Sequence, residues 1–419
     1  MNPGDDDLGA PLPVTVLPVL RRVDAYPVEV EGEEYIALRD PEGVVEDVML
    51  LSPAAFLIAS MLDGTATVTD MRATYARAFD GRMVEEHEIR KVIAELDLRG
   101  FLDTPGFRLK RAEARRRWGD LPVRPASHAG GAYPDDPREL AAYLGGFFTA
   151  EGGPGLLAGA TPRRAPRGLV APHIDFQRGG LAYAHAHRTH REEPLPDLVI
   201  VLGVVHSAPP VPFIVTDKAF QTPLGVVSAD REAVAAISAG CGGWAREEEI
   251  AHRSEHSIEF QLVWLQATHP GQDFTIVPVL CSAFEQFCGE HSPQSDERIA
   301  RGLESLAGVL RGRRALVIAS VDFSHVGPKF GDDIRLDESV AAGVEESDRA
   351  LLAPLCAGDA EGFWAEGAGD GNPRHVDALS AAYTLLHLLG PDARGTELAY
   401  GQAPDPEGGI VSFAAVEFP

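Results

Sequence analysis

Four groups of residues in the second half of the chain carry side chains suited to metal binding or proton transfer. His173 and Asp175 follow the apolar run GLVAP, His206 and Ser207 follow LVIVLGVV, and Asp322, Ser324 and His325 follow ALVIASV. The fourth group, Glu255, His256, Ser257 and Glu259, opens the helical stretch EHSIEFQLVWLQ. Short continuous runs rich in Val and Ile mark strands buried on both faces. Ligands of open α/β sheets gather beyond the carboxyl ends of such strands. A lone histidine after a strand is ordinarily a capping or hydrogen-bonding residue. Three such strand ends, with a helix opened by a histidine and two carboxylates, point to a metal or polar catalytic site. Imidazole suits Fe, Zn, Cu and Ni, and two histidines with one further donor leave positions open for chemistry. His173 and His206 are 33 residues apart, one βαβ step, which predicts adjacent parallel strands. His325, Asp322 and His256 compete for the third ligand position. His256, His325 or His375 could serve as base, because imidazole titrates near neutrality.

The elements that must position these residues read as an α/β fold with a mixed, partly parallel central sheet of about six strands. Between the strands lie the helical stretches REAVAAISAG, SIEFQLVWLQAT, ERIARGLESLAGVLRG, DESVAAGVEESDRALLAPL and DALSAAYTLLHLLG, and IVSFAAVEF ends the sheet. Most of the 14 histidines fall in this part of the chain. His185, His187 and His190 read as an exposed helix end and loop, and His387 as a structural residue of an apolar helix.

The first 120 residues have a different character. Residues 1–20 read as a proline-rich flexible arm. YPVEVEGEEYIALRDP reads as two strands joined around Gly32, and Ser52-Pro53 opens a helix with a serine cap. A second helix follows from Thr67 to Phe79. A third places Ile89, Val92, Ile93 and Leu96 on one face and ends at Gly100. FLDTPGFRLK is the expected β-wing. The expected organisation is therefore a small winged-helix-like α+β domain over residues 21–115, a linker over 116–124 and a large domain over 125–419. The recognition helix of such a unit would carry Glu85, Glu86, Glu88 and Glu95, which disfavours DNA and favours a docking or peptide-holding role.

Composition narrows the function classes. The chain has 419 residues, 45% of them hydrophobic, enough for two domains with their own cores. Lys plus Arg number 37 against 63 Asp plus Glu, a formal charge of -26 that repels polyphosphate and so disfavours nucleic acid as a partner. No apolar run long enough for a membrane helix occurs, and the N-terminus MNPGDDDLGA is acidic where a signal peptide is positive. The four scattered cysteines form no CxxC pair. A cytoplasmic protein is expected. GGPGLLAGA lacks the GxGxxG spacing, and neither a P-loop nor a GxSxG elbow is present.

Two resemblances rest on these pieces. FLIASMLDGTATVTDMRATYARAF and EEHEIRKVIAELDLRGFLD resemble the small PqqD-type winged-helix domains, which hold peptide substrates for radical-SAM enzymes. From about Pro125 onward, the pieces ASHAGGAYPDDPRELAAYL, APHIDFQRGG, LGVVHS, AFQTPLG, EHSIEFQLVWLQ, FTIVPVL, SVDFSHVG and NPRHVDALSAAYTLL occur in the order and spacing of the Memo-like family, also called AmmeMemoRadiSam system protein B. That resemblance implies the fold of the class III extradiol dioxygenases, with a pocket at the strand ends. It further implies two histidines and a cysteine that bind iron or copper. The histidines fall on His173 and His206, and the cysteine falls on Ser324. His256, His375, Asp322, His325 and His128 match other motif positions.

A serine hydroxyl is a far weaker transition-metal ligand than a thiolate. Asp175 stands where the family commonly has glycine, so it is the expected replacement ligand, or the acceptor that orders His173. The implied metal is Fe(II), with Cu or Zn as alternatives or no metal at all. The implied partners are radical-SAM and AMMECR-type proteins, with a peptide or small molecule as ligand. Three functions compete on this reading. They are a non-haem metal-dependent oxidoreductase acting on an aromatic or peptide-derived substrate, a non-enzymatic binding or adaptor protein, and a metal-assisted hydrolase.

Overall fold

A computed structural model describes residues 17–45, 47–155, 166–188, 195–196, 198–405 and 408–419. The chain divides into two compact units, residues 1–118 and 119–419. Most of the arm expected over 1–20, His190 and the end of GGPGLLAGA lie outside the described residues.

The first unit begins with a three-stranded antiparallel sheet, β1 (Asp24–Val30), β2 (Glu33–Arg39) and β3 (Met49–Leu51), in that order. Glu31 and Gly32 both have positive φ, the conformation a two-residue hairpin turn needs to match strand twist. Four helices follow: α1 (Pro53–Ser60), α2 (Val68–Ala78), α3 (Glu86–Arg99) and α4 (Pro105–Asp120). Ser52 caps α1 through its side chain, Thr67 and Asp70 close a capping box on α2, and Gly100 ends α3 in the left-handed region. Leu38, Ile58, Ile89, Leu96 and Phe101 form the core beneath. The β-wing expected at residues 101–110 is not formed. Thr104 accepts a hydrogen bond from the Phe107 backbone N–H and Pro105 occupies the first turn, so the segment starts α4 instead. Residues 116–124, read as linker, hold the end of α4 and the short strand β4 (Val123–Arg124).

Among the described residues, the second unit is built on an eleven-stranded mixed sheet. Its further strands are β5 (Gly168–Ala171), β6 (Leu198–Val204), β7 (Phe213–Val215), β8 (Ala219–Thr222), β9 (Gly225–Ala229), β10 (Thr275–Cys281), β11 (Ala315–Ser320), β12 (His325–Val326), β13 (Thr396–Asp405) and β14 (Gly409–Phe418). The order is β12-β14-β5-β11-β6-β10-β9-β8-β4, with β13 paired to β14 and β7 to β10. Five strands beyond the expected six are short or lie at the rims, where side chains are not uniformly apolar. The outer β13, TELAYGQAPD, is half exposed along most of its length, and so shows no buried-strand run.

Strands β5, β11, β6 and β10 run parallel at the centre. β6 shows why they are apolar throughout: Leu198, Ile200 and Leu202 enter one core while Val199 and Val201 enter the other. On the first face pack α7 (Arg231–Gly240), the short α9 (Glu285–Cys288), α10 (Glu297–Leu310), α11 (Glu338–Ala357), α12 (Ala360–Ala368) and α13 (Ala378–Leu389). On the second lie α6 (Phe176–Arg188) and α8 (Ser257–Thr268), with α5 (Pro137–Thr149) completing an aromatic cluster around Trp264. α6 buries His187, whose Nε2 bonds the Gln261 side-chain oxygen, so this histidine is interior rather than exposed. β5 and β6 are not neighbours as their spacing predicts. β11 lies between them, because the chain returns to the centre of the sheet after α10.

Candidate metal centre at the strand ends

The order β5-β11-β6 sets three polar strand ends side by side. His173 lies two residues past β5, Asp322 two past β11 and His206 two past β6. Helix α8 brings the fourth group. Gly203 lets the helix start close against β6, since a Cβ there would meet the Ser257 Oγ at 2.5 Å. The Ser257 hydroxyl donates to the Val204 carbonyl and accepts from the Val204 N–H. One turn on, the Gln261 amide donates to the Pro172 carbonyl and the Ser320 hydroxyl, stitching together the ends of β5 and β11.

The three imidazoles of His173, His206 and His256 stand with ring centroids 5.2–5.4 Å apart. One nitrogen from each lies within 4.8 Å of the others. Each ring is tied by its Nδ1. That of His173 donates to the Ser320 carbonyl at 3.0 Å. Those of His206 and His256 face the two oxygens of Glu255 at 3.0 and 3.2 Å. The nitrogen left on each ring is Nε2, the arrangement in which an outer acceptor fixes the tautomer of a metal-binding histidine. A second donor group shares His173: its Nε2 lies 3.0 Å from Asp377 and 3.6 Å from Asp322. Asp377 is itself oriented by the Asp322 N–H at 2.9 Å.

The electrostatics follow from this crowding of carboxylates. Burial opposes a charge on His173, but Asp377 and Asp322 outweigh it and raise the ring to about 10. His256 goes the other way, lowered to about 4 by burial and by the neighbouring His173 and His206, which outweigh Glu255. For His206, burial is overcome by Glu255 and the pKa rises; its side chain is 47% exposed, so solvent screens part of that effect. Glu255 is pulled well below the carboxylate range by His206 and His256 in spite of burial. Asp322 is raised by burial and by the Asp377 charge, whereas His173 holds Asp377 down. At neutral pH a proton on His173 thus faces the buried Asp322 and the partly buried Asp377.

These groups open into a pocket of about 300 Å³ walled by Phe260, Phe330, Ile174 and Val411, with His325 and Asp322 beside the imidazoles. The Nδ1 of His325 donates to the carbonyls of Phe323 and His375, each at 3.2 Å, and its Nε2 lies 3.9 Å from Asp377. At the mouth stand Arg178, Lys329 and Asp175, each about a third exposed, with the buried Asp405 beneath them. Arg178 bonds Asp175 at 2.6 Å and Asp405 at 3.0 Å, and Lys329 bonds Asp405 at 2.9 Å.

Of the residues singled out from sequence, His173, His206, His256, Asp322 and His325 come together. Asp175 reaches the mouth, where its carboxylate is engaged by Arg178 and is not in either donor group. Ser324 is wholly buried and gives its hydroxyl to Asp348 at 2.6 Å. His375 is half exposed and faces Asp332 at 3.5 Å. Neither lines the pocket. Asp377, two residues past His375, was not legible as a site residue; its one signal is a carboxylate placed just before the helix ALSAAYTLL. Glu255 was visible as part of a cluster but not as the holder of two histidines.

Residues 124–405 match the family described as Memo-like protein. The chain belongs to the Memo-like family. It is 29% identical over 372 residues to a MEMO1 family protein of Aquifex aeolicus, covering 89% of this chain and 91% of the relative. A MEMO1 family protein of Thermus thermophilus is 30% identical over 330 residues, 76% of this chain and 89% of the relative. One of Methanopyrus kandleri is 37% identical over 204 residues, 48% of this chain and 68% of the relative. The second unit begins at Gly119, so the longest of these alignments reaches well into the first unit. Likeness to a Memo-like relative therefore extends beyond the residues whose motifs carry the resemblance. No helix among the described residues is long and apolar enough to cross a membrane.

Proposed function

We propose that this Memo-like protein is a non-haem metal-dependent oxidoreductase acting on a small aromatic substrate. Iron(II) is the expected metal, with copper or zinc as alternatives, and the cytoplasm, where thiols such as its four free cysteines persist, is the expected compartment. The observation that carries the reading is the set of three imidazoles, each with Nδ1 held by a protein oxygen, beside the buried Asp322 and the partly buried Asp377. The donors are nitrogen and oxygen, which suit Fe(II), Zn(II) and Cu(II). Their excess of negative charge fits a divalent cation. Asp175 and Ser324 are not assigned as ligands here.

Bound there, iron would supply Lewis acidity and redox chemistry. The remaining residues have roles set by their positions. Phe260 and Phe330 offer flat apolar walls for a planar ring. His325, with Nδ1 held by two carbonyls, keeps Nε2 to take or return a proton of the substrate. Arg178 and Lys329 stand at the entrance. The pocket volume suits a small molecule.

The test is oxygen uptake by anaerobically iron-loaded protein offered a panel of catechols and other phenols. Uptake stoichiometric with substrate, lost in His173→Ala, is expected. Full iron loading with no uptake on any phenol would contradict the oxidoreductase reading. A second reading, a binding module that works with a radical-SAM or AMMECR-type partner, is favoured by one observation: Ser324, where the family resemblance puts a thiolate, is turned to Asp348. Capture of such a partner by the unloaded protein would support it.

A further inference from the structure

Behind the pocket lies a second polar cluster that the proposed chemistry does not use. Asp348, in the middle of α11, has no exposed side-chain surface. Its Oδ1 accepts the Ser324 hydroxyl at 2.6 Å and the Arg374 guanidinium at 2.9 Å, and its Oδ2 accepts the Tyr400 hydroxyl at 2.9 Å. The same Arg374 nitrogen reaches the Ser324 Oγ at 3.0 Å. A buried carboxylate that gathers three donors from three separate segments costs free energy unless each bond is kept.

Two of those segments carry site residues. Ser324 lies between Asp322 and His325, and Arg374 lies three residues before Asp377. Their backbones are also joined directly, by the His325 N–H to the Arg374 carbonyl at 2.8 Å. The Asp322 N–H to Asp377 bond completes the join on the pocket side. The second segment is not a relaxed loop: Asp370, Asn372 and His375 all hold positive φ without being glycine. Such backbone persists only where its surroundings fix it.

We infer that Asp348, through Ser324 and Arg374, is a positioning clasp that sets the Asp322–Asp377 carboxylate pair against His173. This rests on the metal-centre reading above. Ser324 then holds the loop that carries Asp322 and His325 rather than donating to a metal. The hydroxyl is committed to Asp348 and Arg374 and belongs to neither donor group. Outer residues that orient ligands commonly contribute about 10–100-fold to metal affinity, so loss of the clasp should weaken binding without removing any donor.

The experiment is titration of the full chain with Co(II), following its visible spectrum, for parent, Asp348→Asn and Tyr400→Phe, with a thermal melt of each. Tyr400→Phe cuts a hydrogen bond to the same buried carboxylate but leaves Ser324 and Arg374 in place. Asp348→Asn should bind Co(II) about tenfold or more weakly and with an altered spectrum, while Tyr400→Phe stays within about twofold of the parent. Equal affinity in Asp348→Asn and parent would overturn the clasp, as would equal losses in both variants. If Asp348→Asn does not fold, Arg374→Lys takes its place, with the same loss expected and the same parent-like affinity as the overturning result. A parent that takes up no Co(II) would overturn the metal-centre reading itself, an outcome distinct from these.

Discussion

Glu255 and Glu259 are four residues apart at the start of α8, and both are buried, yet they are neutralised by different means. Glu255 faces the Nδ1 atoms of His206 and His256 and the backbone N–H groups of His256 and Ser257. Glu259 accepts the Arg124 guanidinium, the Tyr133 hydroxyl, the His128 ring and the N–H groups of Ser127 and His128. The cation on Glu259 is Arg124, which keeps its proton and has no lone pair to offer, and the His128 ring beside it is in neither donor group, so the Glu259 cluster is closed. It fastens residues 124–133 onto the helix. Histidine has a second nitrogen, so the Glu255 cluster satisfies its carboxylate and still presents ligand atoms. The same residue type, one helical turn away, is sealed by a cation in one case and holds two imidazoles in the other.

The largest expected effect lies on the closed side. Arg124→Leu leaves Glu259 buried without its cation, and also strands the His252 and Glu255 carbonyls that Arg124 binds. Urea denaturation at neutral pH should show a loss of about 3–5 kcal/mol, while the folded fraction binds metal as before. A loss below about 1 kcal/mol, the scale of an exposed pair, would show that the cluster is not closed.

On the open side the pattern should reverse. Glu255→Gln should weaken metal binding by about 10–100-fold in direct titration and cost less stability than Arg124→Leu. Parent-like affinity would remove the distinction between the two glutamates.

A pH series sharpens it further. His173 is raised to about 10, so its proton must leave before Nε2 can bind a cation. Affinity should therefore rise with pH, by at least about tenfold per unit between about pH 6 and about pH 9, with at least one proton released per ion, and the raised His206 steepens the acid end. A flat profile would place the metal away from His173. The smallest effect is expected at the mouth. Asp175→Asn should leave metal content unchanged, since Arg178 already engages that carboxylate; loss of metal would restore Asp175 as a ligand.

Much of the centre was legible because its histidines follow apolar strands directly. His173, His206 and Asp322 each come two residues after a buried strand, and period alone places them at one edge of the sheet. What spacing could not show is sheet order. The intrusion of β11 between β5 and β6 is a long-range pairing, and it is this that sets the strand end carrying Asp322 between those carrying the two histidines. Residue type also misled at the far loop. His375 is the more conspicuous residue, but it follows the turn at Pro373–Arg374 with its backbone at φ 49°, and Asp377, two residues on, meets His173 instead. Ser324 could not be separated from Asp322 and His325 by sequence, because its partner, Asp348, comes from a helix 24 residues on. In the first unit the helix caps were readable, whereas the wing was not, since Thr104-Pro105 starts a helix as readily as it turns a hairpin.

The most direct test of the central claim is metal content by mass spectrometry. Protein purified without an affinity tag and reconstituted anaerobically with Fe(II) would be compared with a His173→Ala, His206→Ala double variant. Near one iron per chain in the parent and almost none in the variant is the expected result. Equal, substoichiometric metal in both would contradict a metal centre at these strand ends.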